Sequence, residues 1–192
     1  MIRIRMPLTD PRSFFEICTG ADSRKGDPMS STLILFGSTL GDTERVAGRL
    51  AERLSGEIKL ASVANFDLAR LAEFDRIILG TSTWGAGDLQ DDWEAAVGSL
   101  RGLNLAGKTV ALFGLGDAAG YPDTFVDGLG ILHEALEGTG AVRVGYWPTD
   151  GYDYTASRAV VDGSFAGLAL DEANQPNLTG ERIARWVEAI QS

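Results

Sequence analysis

From Thr32 to the C-terminus, short apolar runs alternate with longer amphipathic stretches, and this alternation restricts the chain more than any other feature. Repeated βα units of this kind close into a parallel sheet with helices on both faces. Leu33-Ile34-Leu35-Phe36 is apolar throughout, as a strand buried on both sides must be. Residues 43–55 carry Val46, Leu50 and Leu54 at helical spacing, supported by Ala47 and Ala51. A short strand is expected near Glu57–Leu60 and a poorly defined helical stretch at Phe66–Leu71. Arg76–Leu79 and Thr109–Phe113 read as the next central strands, separated by a helix over 91–100. A helix over 124–138 presents Phe125, Leu129, Leu132 and Leu136, and places His133 on a half-exposed face. Ala141–Tyr146 reads as the fifth strand. The closing helix, 178–191, presents Ile183, Trp186, Val187 and Ile190.

Residues 147–178 do not fit a minimal sheet of five strands. This Gly- and Asp-rich stretch contains the apolar run Phe165–Leu170. It reads as an insertion that splits the last strand, with 165–170 rejoining the sheet. Residues 1–28 also differ from the rest. Five cations and four carboxylates are mixed with Pro7, Pro11 and Pro28, without periodicity and without the apolar core of a secretory signal. They are expected to form a disordered extension to a single domain spanning 29–192.

Composition narrows the function classes. A formal charge of −10 opposes nucleic acid and favours basic protein partners. One cysteine, Cys18, and one histidine, His133, cannot assemble a Cys/His metal site or a disulfide framework. The lone thiol fits a reducing compartment, and hence a cytoplasmic location. No run of about 18 apolar residues is present, so membrane insertion is not expected.

In an open parallel sheet, ligands bind beyond the carboxyl ends of the strands. The loop Gly37-Ser38-Thr39-Leu40-Gly41-Asp42-Thr43 leads directly into a helix, a combination that can cradle phosphate. The same residue types also make ordinary capped turns. The loop has no Walker A lysine, and indeed no cation, so any phosphate would be held by neutral donors. After the third strand, Thr81–Gln90 exposes Trp84 among small residues. After the fourth, Leu115–Asp123 offers Tyr121 in a similar setting. Together the two rings would form a slot for a planar ligand; separately, they would be two surface aromatics.

The three loops resemble the FMN loops of flavodoxins. Similarity is carried by Gly37–Glu44, by Thr83-Trp84-Gly85-x-Gly87-Asp88-Leu89-Gln90, and by Gly114-x-Gly116-Asp117 with Tyr121. The segment Gly163–Asp171 with Asn174-Gln175 resembles the long-chain branch of that family. The resemblance implies a three-layer, doubly wound, five-stranded parallel sheet in the order 2-1-3-4-5. It also implies bound FMN and a monomeric, low-potential one-electron carrier rather than an enzyme. Ser38, Thr39, Gly41, Asp42 and Thr43 would hold the phosphate, Asp42 through its backbone only since its carboxylate must point away, with Leu40 standing where many relatives have Thr. Thr83 and Asp150 would lie near the ribityl chain, and Trp84 and Tyr121 would sandwich the ring. Gly85, Ala86, Gly87, Leu115, Gly116, Asp117 and Asp123 would border its edge. Partners of long-chain relatives include ferredoxin-NADP reductase, pyruvate oxidoreductase, photosystem I and nitrogenase reductase. Acidic residues at one end of the sheet (Asp88, Asp91, Asp92, Asp117, Asp123, Asp150 and Asp153) would both disfavour a negatively charged reduced ring and steer basic partners. The competing expectation is an FMN-dependent NAD(P)H quinone or nitro reductase on the same fold. A receiver-like signalling domain would need an acidic cluster after the first strand, which this sequence lacks.

Overall fold

A computed structural model describes residues 31–192; the disordered extension expected for 1–28, and Cys18 within it, lie outside the described residues. The sheet is built on β1 (Ser31–Phe36), β2 (Glu57–Ser62), β3 (Arg76–Trp84) and β5 (Thr109–Leu115), all parallel and ordered β5-β3-β1-β2. Leu33, Ile34, Leu35, Ile77, Ile78 and Leu79 are fully buried, as a sheet covered on both faces requires.

The fifth position is shared by two pieces. β6 (Val142–Val144) pairs with Thr109–Ala111 of β5, and β10 (Leu168–Leu170) pairs with Phe113–Leu115. Since β3 occupies the other edge of β5, both pieces lie on the same edge. The expected split strand is therefore present, but the rejoining piece is only 168–170. Phe165, expected within it, belongs instead to the insertion. There β7 (Trp147–Pro148), β8 (Val160–Val161) and β9 (Ser164–Phe165) form a separate antiparallel sheet. Phe165 turns into a cluster with Phe125, Tyr152 and Tyr154, which welds the insertion to the core.

α1 (Asp42–Ala51) and α4 (Thr179–Gln191) contact each other, as do α2 (Asp91–Leu100) and α3 (Asp127–Ala135). The crossover from β1 to β2 runs in the opposite direction along the sheet from those leaving β3 and β5. Right-handed connections then put the two helix pairs on opposite faces. The stretch expected to be weakly helical at 66–71 overlaps one 3-10 helix, Leu68–Glu73, opened by the Asp67 carboxylate accepting from the Ala69 amide, and a shorter 3-10 turn, Val63–Asn65, precedes it. α3 is shorter than the expected 124–138. Thr124–Val126 is spent on a loop that ends with Val126 in the left-handed region. His133 is buried rather than half-exposed, because Arg143 and Tyr146 close over its ring. Among the described residues, no helix is long and apolar enough to cross a membrane.

Candidate functional site

The carboxyl ends of β1, β3, β5 and β10 converge on one cleft of about 400 Å³, the scale of a small-molecule site. Ser38, Thr39, Leu40, Asp42 and Thr43 line it from the first loop, and Thr83, Trp84 and Gly85 from the second. Leu115, Gly116, Asp117 and Tyr121 line it from the third.

The first loop is shaped by its own side chains. Gly41 lies in the left-handed region, with φ 92°, and caps α1. The Ser38 hydroxyl accepts from the amides of Gly41 and Glu44. Among the described residues, the amides of Asp42 and Thr43 donate to no protein acceptor. They are free donors at a helix N-terminus bordering the cleft, where the helix dipole adds positive potential.

Gln90 ties this loop to the next. Its Oε1 caps α2 by accepting from Asp92 and Trp93, while its Nε2 donates to Thr39 Oγ1. Gly37 permits this close approach, since a Cβ there would lie 2.1 Å from Gln90 Oε1.

Residues 81–90 are more regular than the expected open loop. β3 continues through Trp84, and Thr83-Trp84 pair antiparallel with β4 (Asp88–Leu89). Gly85 and Gly87 have φ of 51° and 105°, which lets the chain reverse in a tight turn closed by the Gly87 amide on Trp84 O. Trp84 is thus held on a hairpin, with its indole N–H donating to Ser82 Oγ. Trp84 remains 38% exposed and Tyr121 53%, so two exposed aromatic residues on neighbouring segments line the same cleft. Thr83 faces α3 as well, its hydroxyl accepting from the Gly128 amide.

The Tyr121 loop is held by a network that sequence reasoning did not assign. Asp117 Oδ1 accepts from the Gly120 amide and from Asn174 Nδ2, and these bonds hold its carboxyl below the usual carboxylate range. Asn174 also donates to Asp171, a carboxylate only 1% exposed that in turn accepts from the Ala118 amide. Asp117 therefore acts as a loop tie as well as lining the cleft.

Five expected site residues fall outside the lining. Gly41 shapes the first loop from behind, and Ala86 forms the exposed hairpin tip. Gly87 packs against α3, where a Cβ would meet Asp127 Oδ2 at 2.8 Å. Asp123 is exposed beyond Tyr121. Asp150 lines a second cavity, with Trp147, Arg182 and Arg185, and the adjacent Gly151 carbonyl accepts from Gln175, the neighbour of the Asn174 that holds Asp117. Glu172 and Ala173, just past the end of β10, complete the lining and were not among the expected site residues. Their signal was the Leu-Ala-Leu-Asp run itself, since a strand that re-enters the parallel sheet delivers the next residues to its carboxyl end.

Comparison with known proteins agrees with this geometry. The family model described as flavodoxin matches residues 34–186. A flavodoxin of a Picosynechococcus strain is 44% identical over 85% of this chain and 97% of its own length. Flavodoxin 2 of Escherichia coli K12 is 45% identical over 82% of this chain and 92% of its own. A crystal structure of Fusobacterium nucleatum flavodoxin bound to flavin mononucleotide superimposes with a TM-score of 0.81 at 31% identity, covering 85% of this chain and 98% of that one. By sheet order, cleft and sequence, this chain belongs to the flavodoxin family.

Proposed function

We propose that the cleft binds FMN and that the protein carries electrons one at a time, at low potential, between other redox proteins. One observation carries this reading. Two exposed aromatic faces, Trp84 and Tyr121, share a cleft with unpartnered amide donors at the start of α1. A ligand matching both features has a flat ring at one end and a phosphate at the other. The Fusobacterium relative, bound to FMN, supports the same choice.

The residues then divide by chemistry. The free amides of Asp42 and Thr43 would donate to the phosphate, aided by the hydroxyls of Ser38, Thr39 and Thr43. Trp84 and Tyr121 would stack on the ring, with Gly85, Leu115, Gly116 and Asp117 at its edge. Thr83 and Asp150 would lie near the ribityl chain, with Glu172 and Ala173 completing the lining. FMN supplies the redox chemistry when bound; the chain binds it, orients it and sets its electrostatic surroundings. Asp88, Asp91 and Asp123 are exposed near the cleft, a rim suited to redox partners with basic docking faces such as ferredoxin-NADP reductase. The three-stranded insertion supports placement in the long-chain branch. Residues 29–192 are the FMN-binding unit, acting in the cytoplasm as a monomer.

The test is direct. Purified protein should be yellow and release FMN on denaturation, identified by mass. It should consume NADPH only when ferredoxin-NADP reductase is added. NADPH consumption by the protein alone, with a quinone or nitro compound as acceptor, would replace the carrier reading with the reductase one. Colourless protein that takes up no FMN would refute both.

A further inference from the structure

The first loop contains no cation, yet one stands just beyond it. Arg45, in the first turn of α1, lies 2.7 Å from Asp42 Oδ1 and 3.1 Å from Glu172 Oε2. Asp42 and Glu172 both line the cleft, and Glu172 also accepts from the Thr179 hydroxyl. Two carboxylates thus border the cleft at the end where the α1 amides point. Without compensation they would repel any phosphate that those amides attract. Glu172 is the more consequential of the two, since its side chain is only 16% exposed against 50% for Asp42, and water screens it less.

We propose that Arg45 is the residue that makes this cleft selective for a phosphorylated flavin. It cancels part of the charge of Asp42 and Glu172 and tethers both carboxylates to its guanidinium. It therefore acts on the phosphate through the local charge, as a positioning residue and not as a direct ligand. The inference rests on the reading of the cleft as an FMN site. The bland account of the same contacts is a clasp that joins α1 to the segment after β10. A clasp would serve flavins with and without phosphate equally, and this separates the two accounts.

The experiment titrates the full chain, dialysed free of small molecules, with FMN and with riboflavin, following flavin fluorescence at low and high ionic strength. Wild type should bind FMN more tightly than riboflavin. Arg45→Gln should weaken FMN about tenfold at low salt, the effect of exposing a phosphate dianion to unshielded carboxylates at a protein surface. Riboflavin should stay within about twofold, and the FMN loss should shrink at high salt as ions screen the field. Glu172→Gln in the Arg45→Gln background should recover most of the FMN affinity, since it removes the less screened carboxylate. Arg45→Lys keeps the charge and should stay within about threefold of wild type, which provides a readout if the Gln variant folds poorly. Equal losses for both flavins, or no loss for FMN, would overturn the proposal. Wild type binding neither flavin would instead refute the reading of the cleft on which it rests.

Discussion

At the scale of single residues, the exposure of an aromatic ring is the strongest functional signal in this protein. Trp84 could have been buried as Trp93 and Trp186 are, but it remains 38% exposed at the cleft wall. Its truncation to Ala should weaken FMN binding by about 1–3 kcal/mol, the sum of lost apolar contact and lost stacking. Fluorescence titration measures the loss, and native protein whose flavin emission is unquenched would contradict the stacked arrangement. His133 makes the opposite case, a polar residue drawn inward. Burial, and then the charge of Arg143, push its pKa below the usual histidine value. The unfolded chain therefore binds a proton more readily, and stability falls as pH drops from about 6.5 toward the lowered folded value. A His133→Gln variant should lose this component of acid sensitivity. Melting temperatures of the two proteins across pH 4–8, identical in slope, would show that His133 does not titrate in that range.

At the scale of elements, the site depends on how loops are tied rather than on how strands pair. The β3–β4 hairpin turns at Gly85, where a Cβ would meet Asp88 Oδ2 at 2.8 Å and where φ is 51°. Gly85→Val should cost about 1–3 kcal/mol of stability through backbone strain and displace Trp84. Chemical denaturation together with near-ultraviolet circular dichroism would report both effects. The Asp171–Asn174–Asp117 chain ties the segment after β10 to the Tyr121 loop. Asn174→Ala leaves the nearly buried Asp171 short of a donor, at a cost of about 1–3 kcal/mol. It should also raise proteolytic susceptibility within 117–123. Asp117 gives the same loop an acid limit. Its carboxyl pKa is depressed, so its hold on Gly120 is complete above the ordinary carboxylate range and is lost as pH falls through the lowered value.

At the scale of the molecule, the charge pattern decides how partners arrive. Asp91 and Asp123 are exposed beside the cleft, whereas Asp92 is engaged by Gln90, which also holds Thr39. The clean test of steering is therefore Asp91→Asn with Asp123→Asn, sparing Asp92. Reduction by ferredoxin-NADP reductase, followed by stopped flow over an ionic-strength series, should slow and lose salt dependence, while FMN affinity stays within about twofold. A rate indifferent to both substitutions and salt would leave the acidic rim with no role in docking. The buried core among the described residues runs from Leu33 to Ile190. Residues 1–28 mix charges with three prolines and lack periodicity, so a chain beginning at Met29 should keep FMN binding and melt within a few degrees of the full chain, as calorimetry of the two forms would establish.

What the sequence determined by itself was everything governed by periodicity and local turn chemistry. Apolar runs such as Leu33–Phe36 must be buried on both faces wherever they fall, so the parallel sheet was readable from them. The loop Gly37–Thr43 leading straight into a helix was legible as a phosphate-type turn, and the helix over 91–100 appears with those same bounds. Trp84 and Tyr121 were legible because large rings among small residues have nowhere local to hide. Tertiary structure alone decided the rest, because those features depend on partners far apart in sequence. The insertion folds into its own antiparallel sheet, and a second cavity that includes Asp150 forms beside it. Glu172 entered the site only because β10 re-pairs with β5. Arg45 reaches across 127 positions to meet Glu172, and Asn174 across 57 to meet Asp117. No local pattern encodes such contacts; they exist because the sheet brings the ends of four separated strands to a single cleft.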